Sequence, residues 1–117
     1  MNDQRIILRD ILERIQRIER YTEDGRTTFL GSELLQDAVI RSFEVIGEAV
    51  KRLDDAVKLR RVQVAWSDFA GFRDVLIHQY EKIKMELVWE FVFEDLPPLK
   101  RAVLGLLEEL DSTTPDT

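Results

Sequence analysis

The chain has 117 residues, with 44% apolar and 34% charged side chains, a formal charge of −6, no cysteine and one histidine. That length suits a single domain around one core, and the composition is that of a globular protein. Missing thiols exclude disulfides, zinc–thiolate clusters and cysteine nucleophiles, one imidazole is too few for the common transition-metal sites, and the acidic balance disfavours non-specific binding along nucleic acid.

From Arg5 to Arg20, Ile7, Ile11, Ile15 and Ile18 recur at steps of four, four and three, widened by Leu8 and Leu12, which is a helical period. Tyr21 to Gly31 breaks that pattern with Thr and Gly, and Ser32 offers a capping oxygen for a second helix. Leu35, Val39, Phe43, Ile46, Val50 and Leu53 form that helix's buried stripe. Gly47 costs about 1 kcal/mol of helix propensity relative to Ala, so a close approach by a neighbouring helix is expected there. Asp55 to Arg61 reads as a short helical piece. A third helix is expected from Trp66 to Asp68, capped by Ser67 or Asp68, through Phe69, Phe72 and Leu76 toward Tyr80. A fourth runs from about Met85 to Glu94; Pro97 and Pro98 are expected to interrupt the chain, and a fifth helix with Leu99, Val103, Leu106, Leu107 and Leu110 to start at the pair, since proline is tolerated in a first helical turn. Ser112 to Thr117 reads as a polar tail, with flexibility expected over 111–117.

These segments predict one all-α domain over residues 1–117, an up-and-down bundle of about five helices. Apolar excess on the second and fourth helices, notably Trp89, Phe91 and Phe93, fits either a homodimer interface or a broad face buried within the monomer. The polar start, Met1-Asn2-Asp3-Gln4-Arg5, and the absence of an apolar run near the roughly 18 residues of a membrane span make the cytoplasm the expected compartment.

Chemistry concentrates in Phe72-Arg73-Asp74-Val75-Leu76-Ile77-His78-Gln79-Tyr80. On a helix Arg73 and Tyr80 share a face, His78 lies roughly 140° around from Arg73, and Asp74 shares the face of His78, where it could orient the ring. Convergence on one phosphate then requires the arginine's reach, a helix end near His78, or a second copy of the segment across a two-fold axis. An imidazole with an ordinary pKa near 6.5 can take a proton from a ribose 2′-hydroxyl or give one to the leaving oxygen, while a guanidinium offsets charge on the phosphorus oxygens. The plainer reading of His78 is a solvated or capping side chain at a helix end, and of Tyr80 a core-edge aromatic, a stacking ring or a modifiable hydroxyl. Nucleic acid would also need a local basic patch, for which Arg60, Arg61, Arg73, Lys82 and Lys84 are the candidates, beside the plainer reading of solvated charges.

Arg73, four residues, His78, one residue and Tyr80 reproduce an Arg-x4-His-x-Tyr motif. Phe43-Glu44-Val45-Ile46-Gly47-Glu48-Ala49-Val50-Lys51-Arg52-Leu53 precedes it, and Trp66, Gly71-Phe72-Arg73, Val88-Trp89 and Asp95-Leu96-Pro97 follow in order. On these residues the chain resembles the HepT-like toxins of the HEPN-domain superfamily of helical ribonucleases, over about residues 5 to 110. The resemblance implies a homodimer in which two segments build a metal-independent endoribonuclease site, with Arg73 and His78 catalytic and no cofactor. It also implies a partner, an MntA-like nucleotidyltransferase antitoxin that adenylylates the motif tyrosine, here Tyr80, placing negative charge where RNA must bind. Asp74 departs from the asparagine that many relatives carry after the arginine.

Two other functions fit the same residues. A non-catalytic helical module that binds and positions a nucleotidyltransferase is favoured by the acidic charge and Asp74. A bundle holding a mononucleotide phosphate on Arg73 lacks the glycine-rich loop that such sites use.

Overall fold

A computed structural model describes residues 3–112, all of whose regular elements are helical. Helix α1 (Gln4–Tyr21) starts at Asp3, whose carboxylate accepts from the Arg5 amide at 2.9 Å, and it buries Ile7, Leu8, Ile11, Ile15 and Ile18. The chain then turns at Gly25, whose φ of 92° suits only glycine. It enters α2 (Arg26–Leu30), a short helix inside the segment expected to be turn alone. Phe29, fully buried against Trp89 with ring centroids 5.6 Å apart, is what holds α2 in place.

Ser32 caps α3 (Glu33–Arg52) as expected, its hydroxyl accepting from the Leu35 amide at 3.2 Å. After α4 (Asp55–Lys58) and a 3-10 turn at Leu59–Arg61 comes α5 (Trp66–His78). Its capping residue is Ala65, with no side-chain hydrogen bond, so neither Ser67 nor Asp68 has the expected role. Both already lie in the first turn. The Trp66 indole instead fastens this end, donating to the carbonyls of Lys58 and Arg61 at 3.2 and 3.1 Å.

The last helix starts beside the proline pair, with Pro97 and Pro98 in its first turn as expected, but they do not interrupt the chain. Helix α6 (Met85–Glu90) passes through a π-turn at Phe91–Asp95 into α7 (Leu96–Ser112). In an α-helix each proline ring would strike the carbonyl four residues back, that of Phe93 or Glu94. The wider π-turn covers both positions, and the Leu96 amide reaches five residues back to Phe91. Residues 111 and 112 of the expected tail are helical, and 113–117 lie outside the described residues.

Helix α3 is the centre of the bundle, packed against α1 on one side and α5 on the other, with α7 against α1. Neighbours run antiparallel: the start of α1 meets the end of α3 where the Asp54 amide donates to Gln4 at 2.8 Å, and Arg9–Asp111 and Lys100–Glu19 link opposite ends of α1 and α7. Phe91 is partly buried against the core beside Phe43 and Phe69 and stacks on Phe72 at 4.0 Å. Of the three aromatics read as either a dimer interface or a face buried within the monomer, Trp89 and Phe91 pack within one chain, whereas Phe93 is 71% exposed. No helix among the described residues is long and apolar enough to cross a membrane.

Candidate functional site

Gly47 brings α5 against α3 at the position of Arg73. A Cβ on Gly47 would lie 2.3 Å from the Arg73 Cβ and 2.7 Å from the Phe69 carbonyl oxygen, so the expected close approach is made by the candidate catalytic residue itself. The Arg73 guanidinium leaves this contact for a shallow depression of about 160 Å³ lined by Arg41, Glu44, Glu48, Arg52 and Ile77. It is 3.3 Å from Glu48 and donates to Asp74 at 3.0 Å.

Asp74 does not orient His78. Its carboxylate accepts from Lys51 at 2.6 Å as well as from Arg73, and these two partners, Lys51 first, hold its pKa below the ordinary aspartate value. Lysine and arginine donate to a carboxylate as full charges, and α3 brings the lysine within reach. His78, the last residue of α5, is exposed, and its side chain has no hydrogen-bond or ion-pair partner among the described residues. The expected helix end near His78 is therefore present, and the ring stands exposed at it.

Tyr80 follows in a 3-10 turn, Tyr80–Lys82, and is 47% exposed. Its hydroxyl donates to Asp37 of α3 at 2.5 Å. That bond, followed by partial burial and by the charges of Asp37, Glu33 and Glu44, raises the phenol's pKa above its usual value. Of the five residues considered for a basic patch, Arg60 and Arg61 are tied to Glu109 of α7, Arg60 at 2.6 Å, and Arg73 is paired as above. Lys82 and Lys84 are exposed, with no side-chain partner among the described residues.

The α3 side of this site was not anticipated. Asp37, Arg41, Glu44, Glu48 and Lys51 recur at steps of four, three, four and three, a charged stripe beside the apolar one. Read as a lining rather than a solvated face, that spacing would have pointed to it. Arg73, Asp74 and Tyr80 each reach this stripe, while His78 stands apart at the helix terminus.

A family model described as "Ribonuclease HepT-like" matches residues 11–105. "Gamma-glutamylcyclotransferase and putative RNase MJ0434" of Methanocaldococcus jannaschii is 44% identical over 110 residues; these are 93% of this chain but 50% of that protein, so this chain spans half its length. "Putative RNase MJ0127" of the same organism is 38% identical over 93% of this chain and 91% of its own length. "Probable ribonuclease HepT" of Thermococcus cleftensis is 39% identical over 80% of this chain and 86% of its own. No solved structure matches. With the all-α bundle and a family match across most of its length, the chain belongs to the HepT-like ribonuclease family.

Proposed function

We propose that this protein is a cytoplasmic toxin of the endoribonuclease type, cutting RNA without metal through Arg73 and His78. The observation that carries the reading is the division of labour at the end of α5: a guanidinium held against α3 in a depression rimmed by charged side chains, and an exposed imidazole with no partner among the described residues. His78 serves as general base toward the ribose 2′-hydroxyl or as general acid toward the leaving oxygen, and Arg73 offsets charge developing on the phosphorus oxygens. An incoming phosphate exchanges with Glu48 and Asp74 as the partner of Arg73.

His78 does not line the depression that holds Arg73, which supports a site composed by two copies of the chain. Val75, Ile77 and Tyr80, between 41 and 47% exposed around the motif, supply apolar surface for that pairing. Tyr80 is accessible to an MntA-like nucleotidyltransferase antitoxin, which silences the site by adenylylating its hydroxyl.

The test is RNA cleavage in chelator by the wild type, Arg73→Ala and His78→Ala. Loss in both variants is expected; equal cleavage by all three removes the motif from the chemistry. The pairing of Arg73 with two carboxylates also supports a non-catalytic module that positions a nucleotidyltransferase. That reading predicts a stable complex with the transferase and no RNA cleavage by any of the three.

A further inference from the structure

Tyr80 is tied to a residue 43 positions away in sequence, and the tie has the geometry of a proton transfer. The donor is the phenolic hydroxyl and the acceptor is the Oδ1 of Asp37, at 2.5 Å. Asp37 sits in the second turn of α3, a helix fixed by its Ser32 cap and by burial of Val39 and Phe43. The carboxylate is thus presented from a rigid element, while the phenol stands half exposed on a short turn where an incoming group can reach it.

We infer that Asp37 is the general base for modification of Tyr80, so that the chain being modified supplies the proton acceptor for its own silencing. The inference rests on the reading of Tyr80 as the regulated hydroxyl and assigns a residue to it. In the step, the Tyr80 oxygen forms a bond to the α-phosphorus of a nucleoside triphosphate, the bond from that phosphorus to the bridging oxygen breaks, and pyrophosphate leaves with the electron pair. The phenolic proton passes to Asp37 and then to solvent.

Two observations favour a neighbouring base over a phenolate formed beforehand. Glu33 and Glu44 of α3 act on the phenol in the same sense as Asp37, so a free phenolate at this position is disfavoured and the proton must leave as the new bond forms. A base must also lie within hydrogen-bond reach of the proton it takes, which Asp37 does. Protein kinases meet the same requirement with an aspartate of the transferring enzyme that accepts the proton of the substrate hydroxyl.

The experiment follows modification by intact mass. The purified full chain is incubated with the nucleotidyltransferase, ATP and Mg²⁺ between pH 6 and 9, in parallel with Asp37→Asn, Asp37→Glu and a Tyr80→Phe blank. A second arm replaces transferase and nucleotide with N-acetylimidazole, a small neutral acyl donor that needs no partner protein. For the wild type the rate at Tyr80 is expected to be nearly flat with pH. Asp37→Asn should be on the order of 100-fold slower at pH 7, and its rate should climb tenfold per pH unit as phenolate takes over. Asp37→Glu should keep most of the rate. Equal rates and the same pH profile in wild type and Asp37→Asn, in either arm where Tyr80 reacts, overturn the role of Asp37. If the transferase leaves wild-type Tyr80 untouched while the acyl donor shows the expected contrast, the proposed adenylylation fails and the base assignment stands.

Discussion

Replacing Gly47 with alanine tests the contact on which the site is built. The new Cβ would stand 2.3 Å from the Cβ of Arg73, 3.0 Å from its Cγ and 2.7 Å from the carbonyl oxygen of Phe69. Carbon atoms in comfortable contact are about 3.5–4.0 Å apart, so more than an ångström must be found. The two nearest atoms are fixed to the α5 backbone, and no side-chain rotation relieves them; only separation of α3 and α5 does. Alanine gains about 1 kcal/mol of helix propensity, and overpacking of this kind costs about 1–3 kcal/mol. With two backbone-fixed clashes the upper end applies, leaving Gly47→Ala less stable by about 2 kcal/mol, a fall in Tm of about 5–10 °C. A misplacement of about 1 Å at Arg73 should also lower RNA cleavage by up to about 100-fold. Gly71, in the same α5, is the control: a Cβ there meets nothing within 4 Å. Gly71→Ala should therefore be more stable by about 0.5–1 kcal/mol. Denaturant unfolding of both variants decides the matter, and a Gly47→Ala protein as stable as Gly71→Ala would refute the close approach and the placement of Arg73 that follows from it.

Asp74→Asn removes a carboxylate from Arg73 and frees Lys51, so the KM for RNA should fall several-fold with a steeper dependence on salt, read from initial rates at graded ionic strength. Asp95, in the π-turn, has its pKa raised by burial first and then by Asp68, Glu94 and Glu90. The folded state therefore binds its proton more tightly than the unfolded chain does. Its contribution is present below the ordinary aspartate value of 3.8 and is lost as pH rises through the folded value. Asp95→Asn should accordingly be more stable at pH 7, with the gain vanishing toward pH 3 in thermal melts. Trp66→Phe deletes the indole donor shared by the Lys58 and Arg61 carbonyls and should cost about 1 kcal/mol in urea unfolding.

Much of the architecture was legible because apolar spacing encodes it directly. Ile7, Ile11, Ile15 and Ile18 are all buried on α1, and Val39, Phe43, Ile46 and Val50 on α3, as their periods require. Gly47 could be read as a close contact, though not that Arg73 is the residue it admits. The short α2 escaped because a single anchor, Phe29, holds five residues whose own preferences favour a turn. The proline pair misled because local rules describe an α-helix, and the chain answered with a different helical repeat. At the site, Arg73, His78 and Tyr80 stood out by chemistry and spacing. Asp37, Glu48 and Lys51 did not, since they meet the motif only after α3 and α5 have packed, and a charged stripe on one helix does not say which side chains will face it.

The π-turn ahead of Pro97 and Pro98 also makes one residue indispensable. Such a turn absorbs one extra position, so a chain shortened by one at Phe93 would still carry Val88 on one side and Leu99 and Val103 on the other along the same inner face. It would, however, return the rod to the ordinary repeat and drive both pyrrolidine rings into the carbonyls behind them. Insertion and prolines are thus a linked pair of characters: shortening this stretch becomes tolerable only when the ring-bearing residues are exchanged in the same step.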